Sequence, residues 1–147
     1  HLSQTSKEIT EKYAADGIKA YISVNKALVT QSSAAIPIVP LYISILYKVM
    51  KEKGVHEGCI EQMYRLFAEK FGADGKPVSG AVDGEGRIRL DDLEMKPEIQ
   101  DEVTKLWNIL NADNFKEYTD IEGYWKDFYE LFGFGIDGVD YEADVEV

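Results

Sequence analysis

The stretch Lys19 to Leu41, KAYISVNKALVTQSSAAIPIVPL, constrains this chain more than any other. A β-like run from Ala20 to Val29 ends abruptly in the small polar cluster Thr30-Gln31-Ser32-Ser33, and an apolar segment broken by Pro37 and Pro40 follows. A strand that empties into hydroxyl-bearing loop residues ahead of a helix belongs to α/β architecture. In open parallel sheets ligands sit off the carboxyl ends of the strands, where backbone N–H groups and short side chains approach them closely. Tyr21 to Val29 reads as the strand, with Ile22, Val24 and Leu28 on one face. A lone strand leaves its backbone groups without partners. It therefore calls either for a second copy or for sheet residues upstream of His1.

The rest of the chain reads as helical. Thr5 and Glu8 have capping-box spacing, opening a short helix that ends near Gly17 or lying inside one that began earlier. Pro40 suits the first turn of a helix over Leu41 to Lys53 that stops at Gly54. A second helix spans about His56 to Phe71 with the stripe Ile60, Met63, Tyr64, Phe67 and Phe71. Residues 73–86 form a Gly- and Asp-rich loop, and Arg87 to Leu90 is a candidate short strand. Pro97 opens a helix carrying Ile99, Val103, Leu106, Trp107 and Leu110. A second capping box, Thr119 to Glu122, opens one carrying Tyr124, Phe128, Leu131 and Phe132. The tail from Gly135 to Val147 is acidic. The chain is thus expected to be a single unit, mostly α-helical, with one principal β-strand and a possible short second one.

A length of 147 residues suits one domain, and 45% hydrophobic residues are enough for a packed core. The net charge of −11 argues against a nucleic-acid partner, which needs a basic footprint, and against anionic membrane surfaces. No segment is long enough and apolar enough to span a membrane, because the run Ala34 to Tyr47 is short and carries two prolines. The single cysteine, Cys59, allows no internal disulfide and points to a reducing, cytoplasmic setting. The chain opens at His1 rather than Met, which reads as a processed, cleaved or truncated product.

The ordered segments VNKALVTQSSAAIPIVPLY, YKVMKEKGVHEGCIEQMYRLF, GRIRLDDLE and FGFGIDGVDYEADV resemble the C-terminal part of the trans-2-enoyl-CoA reductases and the related FabV-type enoyl-ACP reductases. The resemblance runs from His1 to Asp144. It implies a Rossmann-like parent related to short-chain dehydrogenases, monomeric, using NADH to saturate the C2–C3 double bond of a trans-2-enoyl thioester of coenzyme A or acyl-carrier protein in fatty acid metabolism. It further implies a catalytic tyrosine, with a lysine nine positions later, both upstream of His1, so that this chain alone is inactive. Residues 1–33 would end the nucleotide-binding core, and residues 34–147 would form the helical substrate-pocket region. Leu28, Val29 and Thr30 match the family's cofactor-contacting positions, while Gln31, Ser32, Ser33, Ala34, Ala35 and Ile36 match its substrate-covering segment. Some descriptions of the family place FAD in the C-terminal region, but the chain has no G-x-G-x-x-G pattern to support a flavin.

Other groupings carry less. Tyr47 and Lys51 have the Tyr-x-x-x-Lys spacing of short-chain dehydrogenases, but they follow the cofactor-loop strand, whereas that motif precedes it, so the pair reads as a decoy. His56, Glu57 and Cys59 lack the further ligands zinc needs; Cys59 reads as a small core residue. Asp83, Glu85 and Glu94 partly match a calcium loop, but Arg87 and Ile88 occupy positions that defeat it. The aromatic residues of the last helices read as core before ligand platform. Lys48, Lys51 and Lys53 could meet phosphates or an acidic carrier protein, or simply close a helix. The leading alternative to an enzyme fragment is an autonomous helical module that binds an acyl thioester or a protein without chemistry. A calcium-binding helical protein is a third.

Overall fold

The computed structural model describes residues 1–144. The chain divides into two compact units. One comprises His1–Ala27 and Glu57–Pro97; the other comprises Leu28–His56 and Glu98–Val147.

In the first unit, helix α1 (Leu2–Lys12) is followed by a 3-10 turn over Ala14–Asp16 that closes on Gly17 at φ 74°. Thr5 lies inside α1, so its spacing to Glu8 marks no helix start. Thr10 ties α1 to the segment leading into strand β1 (Ile22–Val24): the Ala20 N–H donates to its hydroxyl at 3.0 Å, and the Ser6 hydroxyl donates to the Ala20 carbonyl at 2.9 Å.

The strand is shorter than its sequence pattern suggests, and it is not alone. It pairs in parallel with β2 (Arg87–Arg89), in the register Ile22–Arg87, Ser23–Ile88, Val24–Arg89. This corrects the expectation that its neighbours lie wholly outside the chain. Side chains end the ladder early. Beyond Val24, the Lys26 N–H donates to the Gln62 side chain at 2.8 Å and the Ala27 N–H to Glu94 at 2.7 Å. Backbone groups satisfied in this way need no further strand partner. Leu66, Ile88 and Leu90 form the buried cluster beneath the sheet, with Tyr21, Met63, Phe71 and Val82 against it.

Helix α4 (Cys59–Arg65) continues into a π-helical turn over Leu66–Lys70. Its orientation only partly follows the periodicity reading: Met63 and Phe71 pack against the core cluster, but the rest of the stripe does not. Ile60, Tyr64 and Phe67 are 77%, 74% and 70% exposed, whereas Gln62 and Arg65 are buried. Polar bonding decides which face turns inward. The Arg65 guanidinium binds both Glu57 oxygens at 2.7 and 2.8 Å, Asp92 at 2.7 Å and the Leu90 carbonyl at 2.7 Å. Cys59, expected in the core, is exposed at the start of α4.

The second unit is helical: α2 (Gln31–Ala35), α3 (Val39–Glu52), α5 (Pro97–Ile109), α6 (Phe115–Tyr118) and α7 (Ile121–Glu130). Pro40 sits in the first turn of α3, where its missing N–H costs nothing. Five consecutive residues, Ile43 to Tyr47, are buried, so α3 is enclosed on all sides rather than on one stripe. It packs against α7. The start of α7 docks directly on it: the Asp120 N–H donates to the Ser44 carbonyl at 2.8 Å, and Asp120 pairs with Lys51. A side chain at Gly123 would run into both Asp120 and Lys51, so a glycine permits this close approach. Asp120, not Thr119, caps α7, accepting the Gly123 N–H at 3.0 Å; the Thr119 hydroxyl instead donates to the carbonyl of Phe115, the first residue of α6. Of the aromatic residues expected in the core, only Tyr124 is buried; Trp107, Trp125 and Phe132 are exposed, and Trp125 and Phe128 stack edge to face.

Candidate functional site

The segment Leu28 to Ile36 opens the second unit. Thr30 adopts an extended backbone (φ −141°, ψ 164°) and caps α2, a short helix where the sequence suggested a loop. The cap is reciprocal: the Ser33 N–H donates to the Thr30 hydroxyl at 3.0 Å, and the Thr30 N–H donates to the Ser33 hydroxyl at 2.8 Å. Ser33 also donates to the Leu28 carbonyl at 2.9 Å. The turn is therefore held by its own short polar side chains, as Ser and Thr do at helix starts.

This arrangement fixes what each residue presents. Val29 is buried; Thr30, Gln31 and Ser32 are exposed; Ser33 and Ala34 are half-buried; Ala35 and Ile36 are exposed. Leu28 is half-buried, with its carbonyl engaged by Ser33. The Thr30 hydroxyl accepts one bond and donates another to Ser33, which leaves one acceptor lone pair on this exposed residue. All nine candidate residues thus lie on one continuous, internally bonded turn. Replacing Thr30 with alanine should cost about 1 kcal/mol of stability through the lost cap, while serine should retain most of it; chemical denaturation of the two variants distinguishes them.

Immediately beyond, Ile38 is held at φ 73°, the only non-glycine residue at positive φ among the described residues. A β-branched residue there carries strain of order 1–3 kcal/mol, and such strain collects at functional segments. Ile38 borders an apolar cleft of about 350 Å³ shared with Val39, Tyr42, Gln100, Val103 and Trp107. The Gln100 amide donates to the Tyr42 hydroxyl at 3.2 Å across it.

Tyr47 and Lys51 share a helix face but not a chemical task. Tyr47 is fully buried, and its hydroxyl donates to Asp127 at 2.7 Å. Burial pushes the phenol well above its ordinary pKa, and the Asp127 carboxylate pushes it further. A proton-donating tyrosine needs the opposite shift. Lys51 is taken by Asp120; burial raises that carboxyl, but bonds from Lys51 and the Gly123 N–H outweigh it and hold it below the ordinary value. Asp127 lies 80 residues from Tyr47 and carries no sequence signal of its own. No local pattern joins residues so far apart.

The remaining groupings resolve into structural roles. Glu57 binds Arg65. Asp83 accepts the N–H groups of Glu85 and Arg87, both at 2.9 Å, and pairs with the Arg87 guanidinium. Among the described residues no group of three or more His, Cys, Asp or Glu side chains is placed to hold a metal ion. Nor is any described helix long and apolar enough to cross a membrane.

Comparison with known proteins gives matches along the whole chain. Residues 1–71 match the family model described as trans-2-enoyl-CoA reductase catalytic region, and residues 82–145 match the one described as enoyl reductase FAD binding domain. The chain is 56% identical to the trans-2-enoyl-CoA reductase [NADH] of Ruminiclostridium cellulolyticum, across 99% of this chain and 36% of that protein. It is 55% identical to an enoyl-[acyl-carrier-protein] reductase [NADH] of Coxiella burnetii, across 100% of this chain and 36% of the relative. The crystal structure of Clostridium acetobutulicum trans-2-enoyl-CoA reductase with NADH superimposes with a TM-score of 0.88 at 49% identity, over 99% of this chain and 36% of that one. The Treponema denticola enzyme with NAD gives 0.86 at 45% identity, over 99% of this chain and 35% of that one. The chain thus spans about a third of the length of these relatives.

Proposed function

Since the chain belongs to the trans-2-enoyl-CoA reductase family, we propose that it is part of an NADH-dependent reductase that saturates the C2–C3 double bond of trans-2-enoyl thioesters. The observation that carries this reading is the agreement in fold with an NADH-bound relative over 99% of the chain. The parent is a cytoplasmic monomer, and coenzyme A or acyl-carrier protein delivers its substrate. Its catalytic tyrosine and lysine lie in the part of the polypeptide that precedes His1. Residues 1–33 close the nucleotide-binding core, and residues 34–147 shape the substrate side. The exposed ridge of Ile60, Tyr64 and Phe67 supports a longer parent, since a contiguous apolar face of this kind is a contact surface.

Leu28, Val29 and Thr30 form one wall of the cofactor site. They fit that role because backbone groups of all three are hydrogen-bonded, Thr30 is extended, and Thr30 offers a hydroxyl lone pair to a carboxamide N–H. When bound, NADH supplies the hydride that adds at C3 of the enoyl chain. The residues of this chain orient and enclose: Thr30 positions the nicotinamide, and Gln31 to Ile36 cover the thioester. The strained turn at Ile38 leads into the apolar cleft beside Tyr42 and Trp107, which takes the acyl chain and keeps water from it. The enolate that forms as hydride arrives is stabilised from outside this chain, and that stabilisation is the main source of barrier lowering.

Flavin is a poor fit to residues 82–144. The two arginines nearest the start of that segment are already engaged, Arg87 by Asp83 and Glu85 and Arg89 by Asp91, so neither is open to a diphosphate.

The test is NADH oxidation by the full-length polypeptide with crotonyl-CoA and with an enoyl-acyl-carrier protein. Turnover by the full-length protein and none by the 147-residue chain is the expected result. Turnover by the short chain alone refutes the fragment reading. Acyl-thioester binding by the full-length protein without NADH oxidation would instead establish the non-catalytic module.

A further inference from the structure

We infer that Tyr47 is a positioning residue for the cofactor wall, anchoring the Val29 backbone through its hydroxyl and being anchored in turn by Asp127. This deepens the proposed function and rests on the assignment of Leu28 to Thr30 to the cofactor. The geometry is a buried relay of two hydrogen bonds. The Val29 N–H donates to the Tyr47 hydroxyl at 3.3 Å, and that hydroxyl donates to Asp127 Oδ2 at 2.7 Å. One phenol oxygen thus serves as acceptor and donor at once, between the start of the second unit and α7.

Of the polar backbone groups that shape this turn, the Leu28 carbonyl and the Thr30 N–H are satisfied locally, by Ser33. Local bonds set the turn's internal shape but not where it lies. The bond from Val29 reaches a different helix, α3, and through Asp127 a second one, α7. In an extended segment successive residues face opposite sides. Val29, whose N–H is bonded to Tyr47, is 6% exposed, and Thr30 beside it is exposed. The register of the candidate cofactor residues therefore depends on a hydroxyl that itself touches no ligand.

The phenol is built to stay in place. Tyr47 is fully buried, the His56 ring packs edge-on against it with centroids 4.5 Å apart, and the Lys51 ammonium lies 5.3 Å from its ring centroid. A hydrogen bond to a carboxylate in such surroundings is strong. The short-chain-dehydrogenase-like spacing of Tyr47 and Lys51 thereby acquires a role other than proton transfer.

The experiment uses the full-length enzyme carrying Tyr47→Phe, Asp127→Leu or Asp127→Asn. Tyr47→Phe should raise the KM and Kd for NADH roughly tenfold, the scale of one buried hydrogen bond lost. It should leave kcat at saturating NADH within about twofold and the KM for the enoyl thioester unchanged. Asp127→Leu should reproduce the effect. Asp127→Asn, which keeps an acceptor for the phenol, should restore NADH affinity to near the parent value. Amide hydrogen exchange should be faster at Val29 in Tyr47→Phe, a readout independent of activity. Faster exchange at Val29 with unchanged NADH affinity would overturn the positioning role, and unchanged exchange would overturn the anchor itself. If Tyr47→Phe does not fold, the contrast between Asp127→Leu and Asp127→Asn decides the same point. Failure of the unmodified full-length protein to bind NADH would overturn the reading of the site on which this rests.

Discussion

Replacing Arg65 with methionine is expected to destabilise the protein by about 3–5 kcal/mol, the scale for removing one partner from a buried ion pair. Arg65 and Glu57 are 10% and 14% exposed, so neither carboxylate oxygen of Glu57 would regain full hydration once the guanidinium is gone. The Leu90 carbonyl would lose a donor as well. Asp92, at 40% exposure and also bonded to Lys70, should contribute little to the loss. Lysine at this position should recover only part of the stability, since it lacks the planar fork that binds Glu57 through two nitrogens while reaching Asp92 and Leu90. Urea denaturation of the three proteins at neutral pH provides the ranking.

The same network has an acid signature. Burial raises the Asp92 carboxyl, but the bonds from Arg65 and Lys70 outweigh it and hold the pKa below the ordinary 3.8. A carboxyl depressed in the folded state contributes stability above its unfolded value and loses it as pH falls through its folded value. The unmodified protein should therefore lose stability below pH 3.8, and the loss attributable to Asp92 should shrink in Arg65→Met. Equal acid slopes in the two proteins would show that Arg65 does not set the ionisation of Asp92.

The second large effect is expected from Leu46→Ala, at about 2–5 kcal/mol. Leu46 is fully buried on a helix whose residues Ile43 to Tyr47 are all enclosed. The truncated side chain would leave a void that the flanking residues of α3, each already fixed, cannot fill. Ile60→Ala provides the contrast. Ile60 is just as apolar but 77% exposed, and in the 147-residue chain its truncation should change stability by no more than about 0.5 kcal/mol. A similar loss at both positions would contradict the orientation of α4.

Ile60 shows where sequence reading failed. The stripe Ile60, Met63, Tyr64, Phe67 has faultless helical spacing, and spacing correctly identified a helix. The fold places Met63 against the core but not Ile60, Tyr64 or Phe67, because Arg65 and Gln62 turn inward to partners at Glu57, Asp92, Leu90 and Lys26, residues that no periodicity connects. Helix α3 was legible for the converse reason. Its apolar content is so high, and Pro40 and Gly54 so well placed, that any packing would bury it. The strand from Ala20 to Val29 lies between these cases: its β character was evident, but its length depended on Gln62 and Glu94 taking over the backbone donors of Lys26 and Ala27.

The chain's linear order was enough to show the resemblance to the family, the helical bulk, the strand character of the region before Thr30, and the polar segment at Thr30 to Ser33. These depend on composition, capping chemistry and short-range spacing, all of which act over a few residues. Folding alone decided which partner β1 takes, which side of α4 turns outward, and that Tyr47, itself held by Asp127, bonds the Val29 N–H. Each of those outcomes is set by groups tens of residues apart competing for the same buried donors and acceptors. That competition has an answer only once the chain has closed on itself.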